Sequence, residues 1–123
     1  MGIIQELYRV INSRRGQSRP GSYTAYLFEQ GEDKILKKVG EEAAEVIIAA
    51  KNGEATALTG EIADLIYHLL VLLAWHGLSP SDVRAVLAAR RNKNLVDEVN
   101  TAHRPQERGM MVDNDSRRSM KNY

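Results

Sequence analysis

The sequence predicts an all-α protein, and three observations carry that prediction. Apolar residues recur at three- and four-residue intervals along most of the first hundred positions, as one face of a helix requires. No stretch alternates apolar and polar residues in the manner of a half-buried strand. Caps and stops at Ser22, Gly31, Gly53, Gly77 and Ser79-Pro80 divide the chain into helix-sized segments. The expected architecture is an antiparallel helical hairpin core of about four to five helices, assembled as a dimeric helix bundle.

The first segment, Ile3 to Asn12, places Ile3, Ile4, Leu7, Tyr8 and Ile11 at helical spacing. Arg14 to Gly21 reads as a loop, a polar connection whose Arg14, Arg15 and Arg19 can also close over phosphates. Ser22 suits the N-cap of a short helix through Gln30, with Gly31 as its stop. Asp33 then opens a long helix to about Asn52, which Gly53 ends in a left-handed conformation. Gly40 inside that helix costs ~1 kcal/mol relative to alanine, so it marks either a close backbone approach or nothing at all.

A second long helix starts between Glu54 and Glu61, with Thr56 and Thr59 as candidate caps, and ends at Gly77. Ser79-Pro80-Ser81-Asp82 is a helix start of serine cap, first-position proline and early acid. Val83, Val86 and Leu87 supply the stripe of a last helix to about Arg91, with Leu95, Val96 and Val99 as a continuation. The organisation expected is one domain over residues 1–102 and a flexible tail over 103–123, where the composition is polar and without period.

Composition excludes several function classes. The chain has no cysteine, hence no disulfide framework, thiolate nucleophile or cysteine-bound zinc. The start lacks a basic segment followed by an apolar one, and the apolar run Leu65 to Trp75 is interrupted by His68 and well short of the ~20 residues of a membrane span. A cytoplasmic protein without a membrane partner is expected. Residues 32–78 carry four basic and eight acidic groups, whereas 79–123 carry nine and six. An acidic middle with basic ends suits a central cation and a polyphosphate at the rim. One Trp and one Phe leave little for base stacking, so no nucleic-acid partner is expected.

The chemistry concentrates in the two long helices. Glu41-Glu42-x-x-Glu45 lies on the first and Glu61-x-x-Asp64 on the second. At 100° per residue, Lys38, Glu42 and Glu45 share a sector flanked by Ile35 and Val46. Glu61, Asp64, His68 and Trp75 share another, bordered by Leu65, Val71 and Leu72. Carboxylates on packing faces cost several kcal/mol and repel one another, so a cation is expected between them. Hard oxygen donors favour Mg²⁺ or Mn²⁺, which keeps them ionised. The first cluster alone also fits a solvated face of i,i+4 ion pairs. The second helix is apolar on several faces, and Ile66, Leu69, Leu70 and Leu73 need a wall that a homodimer would supply.

These acidic spacings resemble the signature of the all-α nucleoside triphosphate pyrophosphatases, the MazG-like superfamily. Ser22-Tyr23-Thr24, Lys37-Lys38-Val39-Gly40-Glu41-Glu42 and Ala63-Asp64-Leu65-Ile66-Tyr67-His68 closely resemble the phosphoribosyl-ATP pyrophosphohydrolase family within it. The resemblance runs from about Tyr8 to Arg91 and leaves the last thirty or so residues without an inherited role. It implies hydrolysis of 1-(5-phosphoribosyl)-ATP to 1-(5-phosphoribosyl)-AMP and pyrophosphate, a step of histidine biosynthesis. It carries over Glu42, Glu45, Glu61 and Asp64 as metal ligands and, with Glu41, as the catalytic set. Glu41 points aside on the helical wheel and is a base, a partner to a ligand, or a surface acid. The family is often fused to a cyclohydrolase whose zinc site uses cysteines; with none, the pyrophosphohydrolase alone is expected.

Such a reaction needs positioning and charge rather than a covalent nucleophile. Lys38, one turn before Glu42, suits a phosphate or an ion pair with Glu42. Arg19, Ser22 and Tyr23 complete the expected substrate contacts. His68 either orients Asp64 or is a satisfied core residue, and Trp75 and Tyr67 either stack a base or fill the core. Two other functions fit the same residues: a housekeeping nucleoside triphosphate pyrophosphatase, and a helical dimerisation module without activity.

Overall fold

Five helices follow one another in the computed structural model, which describes residues 2–102, and side chains through residue 95. They are α1 (Ile3–Ser13), α2 (Tyr23–Gln30), α3 (Glu32–Lys51), α4 (Ala55–Trp75) and α5 (Pro80–Ala102). Among the described residues there is no strand, so the all-α expectation holds. The expected tail, 103–123, lies outside the described residues. The chain divides into two compact units, one from the N-terminus to Pro80 that contains α1 to α4, and one from Ser81 onward that contains α5.

Local rules set most of the boundaries. The Ser22 side chain accepts a hydrogen bond from the Ala25 amide at 3.1 Å, which caps α2 as expected. Gly31, at φ 96°, ends α2 and begins α3 in one residue, so α3 opens at Glu32 rather than Asp33. A side chain with a Cβ is strained at that angle. The start of α4 is earlier than the threonines suggested. Glu54 occupies the cap position without a side-chain bond, and the Thr59 hydroxyl donates back to the Ala55 carbonyl at 2.9 Å. A methyl group built on Gly40 would meet nothing within 4 Å, so no close approach accounts for that glycine. Helix α5 begins at Pro80 and runs beyond Arg91, with Arg84 donating to the Ser81 hydroxyl at 3.2 Å.

Helices α3 and α4 fold back on each other through the turn at Gly53. The register is antiparallel: Glu32, at the start of α3, meets Trp75 and His76 at the end of α4, whereas Glu45 meets Glu61 near the turn. The apolar core lies at the Trp75 end. Ile11, Leu27, Ile35 and Val71 are fully buried there, with Leu70 and Ala74, and Leu7, Tyr8, Phe28 and Tyr67 pack around them. Each fully buried aliphatic side chain contributes about 1.5–3 kcal/mol, so α1 and α2 are fastened to this end of the hairpin. The Tyr8 hydroxyl donates to the Leu78 carbonyl, and Arg15 donates to the Trp75 carbonyl at 3.4 Å. Both bonds tie the N-terminal segment to the end of α4.

Candidate metal centre

The acids gather midway along the hairpin, away from the core. Side-chain oxygens of Glu42, Glu45 and Glu61 lie within 4.8 Å of one another. Glu42 is buried at 7% exposure, Glu61 is half-buried, and Glu45 and Asp64 are exposed. The expectation that all four sit on buried faces therefore needs correction. The core residues of α1 and α2 fasten to the Trp75 end, and the acidic stretch is left as a cleft walled by α3 and α4. Asp64 is outside the group of three, although its charge acts on Glu61.

Two oxygens in the cleft, Oε2 of Glu42 and Oε2 of Glu61, are buried without a hydrogen-bond partner. Leaving a buried carboxylate oxygen unsatisfied is costly, and a positive partner would relieve it. The chain's own answer is a proton. Glu61 is pushed up to about 7, first by the hydrogen bond that a protonated Glu61 makes with Glu45, then by burial and by the charges of Glu45, Glu42 and Asp64. Three hard oxygen donors around two orphaned atoms fit a divalent cation in place of that proton.

Lys38 forms the cationic edge of the cleft. Its ammonium donates to Glu41 at 3.1 Å and lies 3.5 Å from Glu42. The Glu41 hydrogen bond raises the Lys38 pKa, and the same bond holds Glu41 below the usual carboxylate range. Of the two alternatives for Lys38, the ion pair is present, shared between Glu41 and Glu42. Glu41 is exposed, and a second lysine, Lys37, approaches it at 4.0 Å.

The remaining sequence candidates fall into two groups. Tyr23 stands beside the cleft, its hydroxyl 3.0 Å from Nε2 of His68 and its ring stacked at 6.1–6.2 Å from Tyr67 and Tyr26. Ser22 uses its oxygen as the α2 cap, and Arg19 is exposed, with its carbonyl accepting from the Ser22 amide at 3.1 Å. Trp75 is removed from the cleft altogether. Its indole donates to Glu32 at 3.1 Å and its ring packs on the core. Tyr67 likewise packs on the core and pairs its hydroxyl with Thr24. Sequence reading missed the Glu32 carboxylate, which also meets His76 at 3.2 Å, and the Tyr23–His68 bond. Both join residues more than forty positions apart, and no local spacing signals them.

A family profile described as phosphoribosyl-ATP pyrophosphohydrolase matches residues 4–91. The chain belongs to this family. It is 75% identical over 91 residues to the phosphoribosyl-ATP pyrophosphatase of Pelotomaculum thermopropionicum, covering 74% of this chain and 93% of that one. The phosphoribosyl-ATP pyrophosphatase of Streptococcus thermophilus is 53% identical over 91 residues, 74% of this chain and 88% of its own. The histidine biosynthesis bifunctional protein HisIE of Bacillus subtilis is 56% identical over 92 residues, 75% of this chain but 44% of that longer protein. The phosphoribosyl-ATP pyrophosphohydrolase match takes in all of α1 but its first residue and α2 through α4 whole, and with them every residue of the acidic cleft.

Proposed function

We propose that this chain is a phosphoribosyl-ATP pyrophosphohydrolase that cleaves 1-(5-phosphoribosyl)-ATP between its α and β phosphates, giving 1-(5-phosphoribosyl)-AMP and pyrophosphate in histidine biosynthesis. Membership of the family supports the substrate. The observation that carries the chemistry is the group of three carboxylates with two buried, unpartnered oxygens.

In this reading Glu42, Glu45, Glu61 and Asp64 would hold Mg²⁺ or Mn²⁺. Such an ion, when bound, supplies Lewis-acid polarisation of phosphoryl oxygens and a more acidic water. The chain's own residues do the rest. Lys38 keeps its ion pair with Glu41 and Glu42 and adds a hydrogen bond to the phosphates, and Arg19 adds a second cation. Ser22 and Tyr23 border the same rim. Glu41 is ionised at neutral pH, and its bond to Lys38 makes it a weak base. In this reading it holds Lys38.

The enzyme would act as a cytoplasmic homodimer on a small molecule, without nucleic-acid or membrane partners. Ile47 and Ile48 on α3 and Ile62, Ile66 and Leu69 on α4 are 36–64% exposed. By length and composition α4 is long and apolar enough to cross a membrane. It also carries two acids and a buried histidine, however, and a second copy covers the isoleucines without putting those groups in lipid. The deciding experiment compares pyrophosphate release from phosphoribosyl-ATP, ATP and dCTP, with Mg²⁺ and with a chelator. Release is expected from phosphoribosyl-ATP with Mg²⁺, and comparable kcat/KM on all three would sink the assignment.

A further inference from the structure

His68 is only 5% exposed, on the acid-bearing face of α4, and both of its ring nitrogens are engaged. Nδ1 lies 2.7 Å from the Asp64 carbonyl oxygen, an atom that can only accept, so Nδ1 carries a proton. In the neutral ring Nε2 is then a bare acceptor, and the Tyr23 hydroxyl 3.0 Å away must be the donor. The phenol has one proton, and this bond uses it. Edge contacts of the His68 ring with Tyr23 at 5.8 Å and Tyr67 at 5.0 Å fix its plane as well.

What remains of the Tyr23 oxygen is lone pairs. Burial lifts the pKa of this phenol, and the Lys38 ammonium opposes that lift, so the cation stands within electrostatic reach. Lys38 has three N–H donors and spends two on Glu41 and Glu42 at 3.1 and 3.5 Å, which leaves one for an oxygen beside them. An ionised phosphate oxygen, by contrast, finds nothing to accept from Tyr23.

We propose that His68 is a positioning residue of the hydrolase site: held as the Nδ1–H tautomer, it accepts the Tyr23 hydroxyl hydrogen bond at Nε2 and leaves the phenol oxygen as a fixed acceptor for donors at the rim, the Lys38 ammonium foremost, and never a donor to phosphate. The inference rests on the pyrophosphohydrolase reading for its consequence, but its geometry has an independent test. In the full-length protein labelled with ¹⁵N-histidine, without metal and at pH 8, ring ¹⁵N–¹H correlation spectra should show His68 protonated at Nδ1 and bare at Nε2. His76→Gln and His103→Gln variants identify the resonance. A bare Nδ1, or protons on both nitrogens, overturns the proposal.

The kinetic arm uses Tyr23→Phe, His68→Asn and the double variant with saturating Mg²⁺. Asparagine keeps an N–H for Asp64 but places no acceptor at the position of Nε2. Each single variant should lower kcat about tenfold with a smaller change in KM, and the double should fall no further than the poorer single. A multiplicative loss in the double, or an unchanged kcat in Tyr23→Phe, overturns the proposal; a purely structural histidine would lower the melting temperature alone. Should His68→Asn fail to fold, Tyr23→Phe still decides this arm. If the parent releases no pyrophosphate from phosphoribosyl-ATP, the functional reading fails, and the spectrum alone then decides the tautomer.

Discussion

Two faces of α4 are built the opposite way from an ordinary amphipathic helix. Toward α3 it carries Glu61, which meets Glu42 and Glu45, and His68 on the acid-bearing face is buried, whereas Ile62, Ile66 and Leu69 on another face are exposed. An isolated helix gains by the reverse arrangement, because apolar surface removed from water contributes about 25 cal/mol per Å² and buried charge costs free energy. Inverted faces identify where a helix gives up stability for function. In the proposed reading the acid face would be stabilised by the cation it binds and the apolar face by a second copy docked on it, whereas the third face, with Leu70, Val71 and Ala74, closes the core by itself.

The acid face should be the more sensitive to a change of one atom. Glu42→Gln replaces a buried charged oxygen by an amide of the same shape, and turnover should drop about 10²–10³-fold. The fold should survive, with a metal-free melting temperature equal to or above the parent's, because repulsion with Glu45 and Glu61 is relieved. A melting temperature lower by several degrees in chelator would show that Glu42 stabilises the apo cleft, and the contrast between faces would fail. Next in size, Ile66→Glu puts a charge into the proposed dimer face. Light scattering should report dimers for the parent and monomers for the variant, with a dimer dissociation constant raised about 100-fold, equivalent to about 2.7 kcal/mol. A parent that is monomeric at all concentrations would leave the apolar face unexplained.

A third effect is smaller and is read through pH. The folded-state pKa of Glu61, about 7, lies above the ordinary carboxylate value, so between those limits the folded apo protein holds a proton that the unfolded chain has released. Its contribution to stability is present at pH below the ordinary value and is lost as pH rises through about 7. Metal-free protein should therefore melt lower at pH 8 than at pH 5.5. Mg²⁺ should raise the pH 8 value, and its binding at pH 6 should release a proton, measurable by calorimetry in buffers of different ionisation enthalpy. A metal-free melting temperature that rises with pH across this range would contradict the carboxyl cluster.

Most of the helix boundaries were legible because they follow from local chemistry. Ser22, Gly31, Gly53 and Pro80 act through their own backbone angles and nearest amides, which spacing alone reveals. The acidic cleft was legible because a carboxylate pair three residues apart fixes one helix face regardless of its partner. Its depth was not. How far Glu45 and Asp64 stand from Glu42 depends on the rotation of two helices and on which end α1 and α2 cover, and both are long-range properties. The same reason hid the Tyr23–His68 bond and the use of Trp75 as a donor to Glu32. The threonines misled for a local reason, since a Thr59 hydroxyl that bonds back to Ala55 competes with capping.

Ser22 sets the finest comparison, between a residue that shapes the rim and one that touches the substrate. As the α2 cap its oxygen already accepts from Ala25. Ser22→Ala should then cost about 1 kcal/mol of stability and Ser22→Gly only a few tenths, because glycine tolerates the cap backbone while alanine does not replace the bond. A direct contact from the hydroxyl to phosphoribosyl-ATP gives a different pattern: both variants lose the same oxygen, so both would raise KM equally, whatever their melting temperatures. The cap account requires KM to follow stability instead, with alanine worse than glycine. Since α2 begins at Tyr23, fraying its first turn would also move the phenol that meets His68, and the KM rise of Ser22→Ala should be accompanied by a shift of the Nε2 resonance of His68.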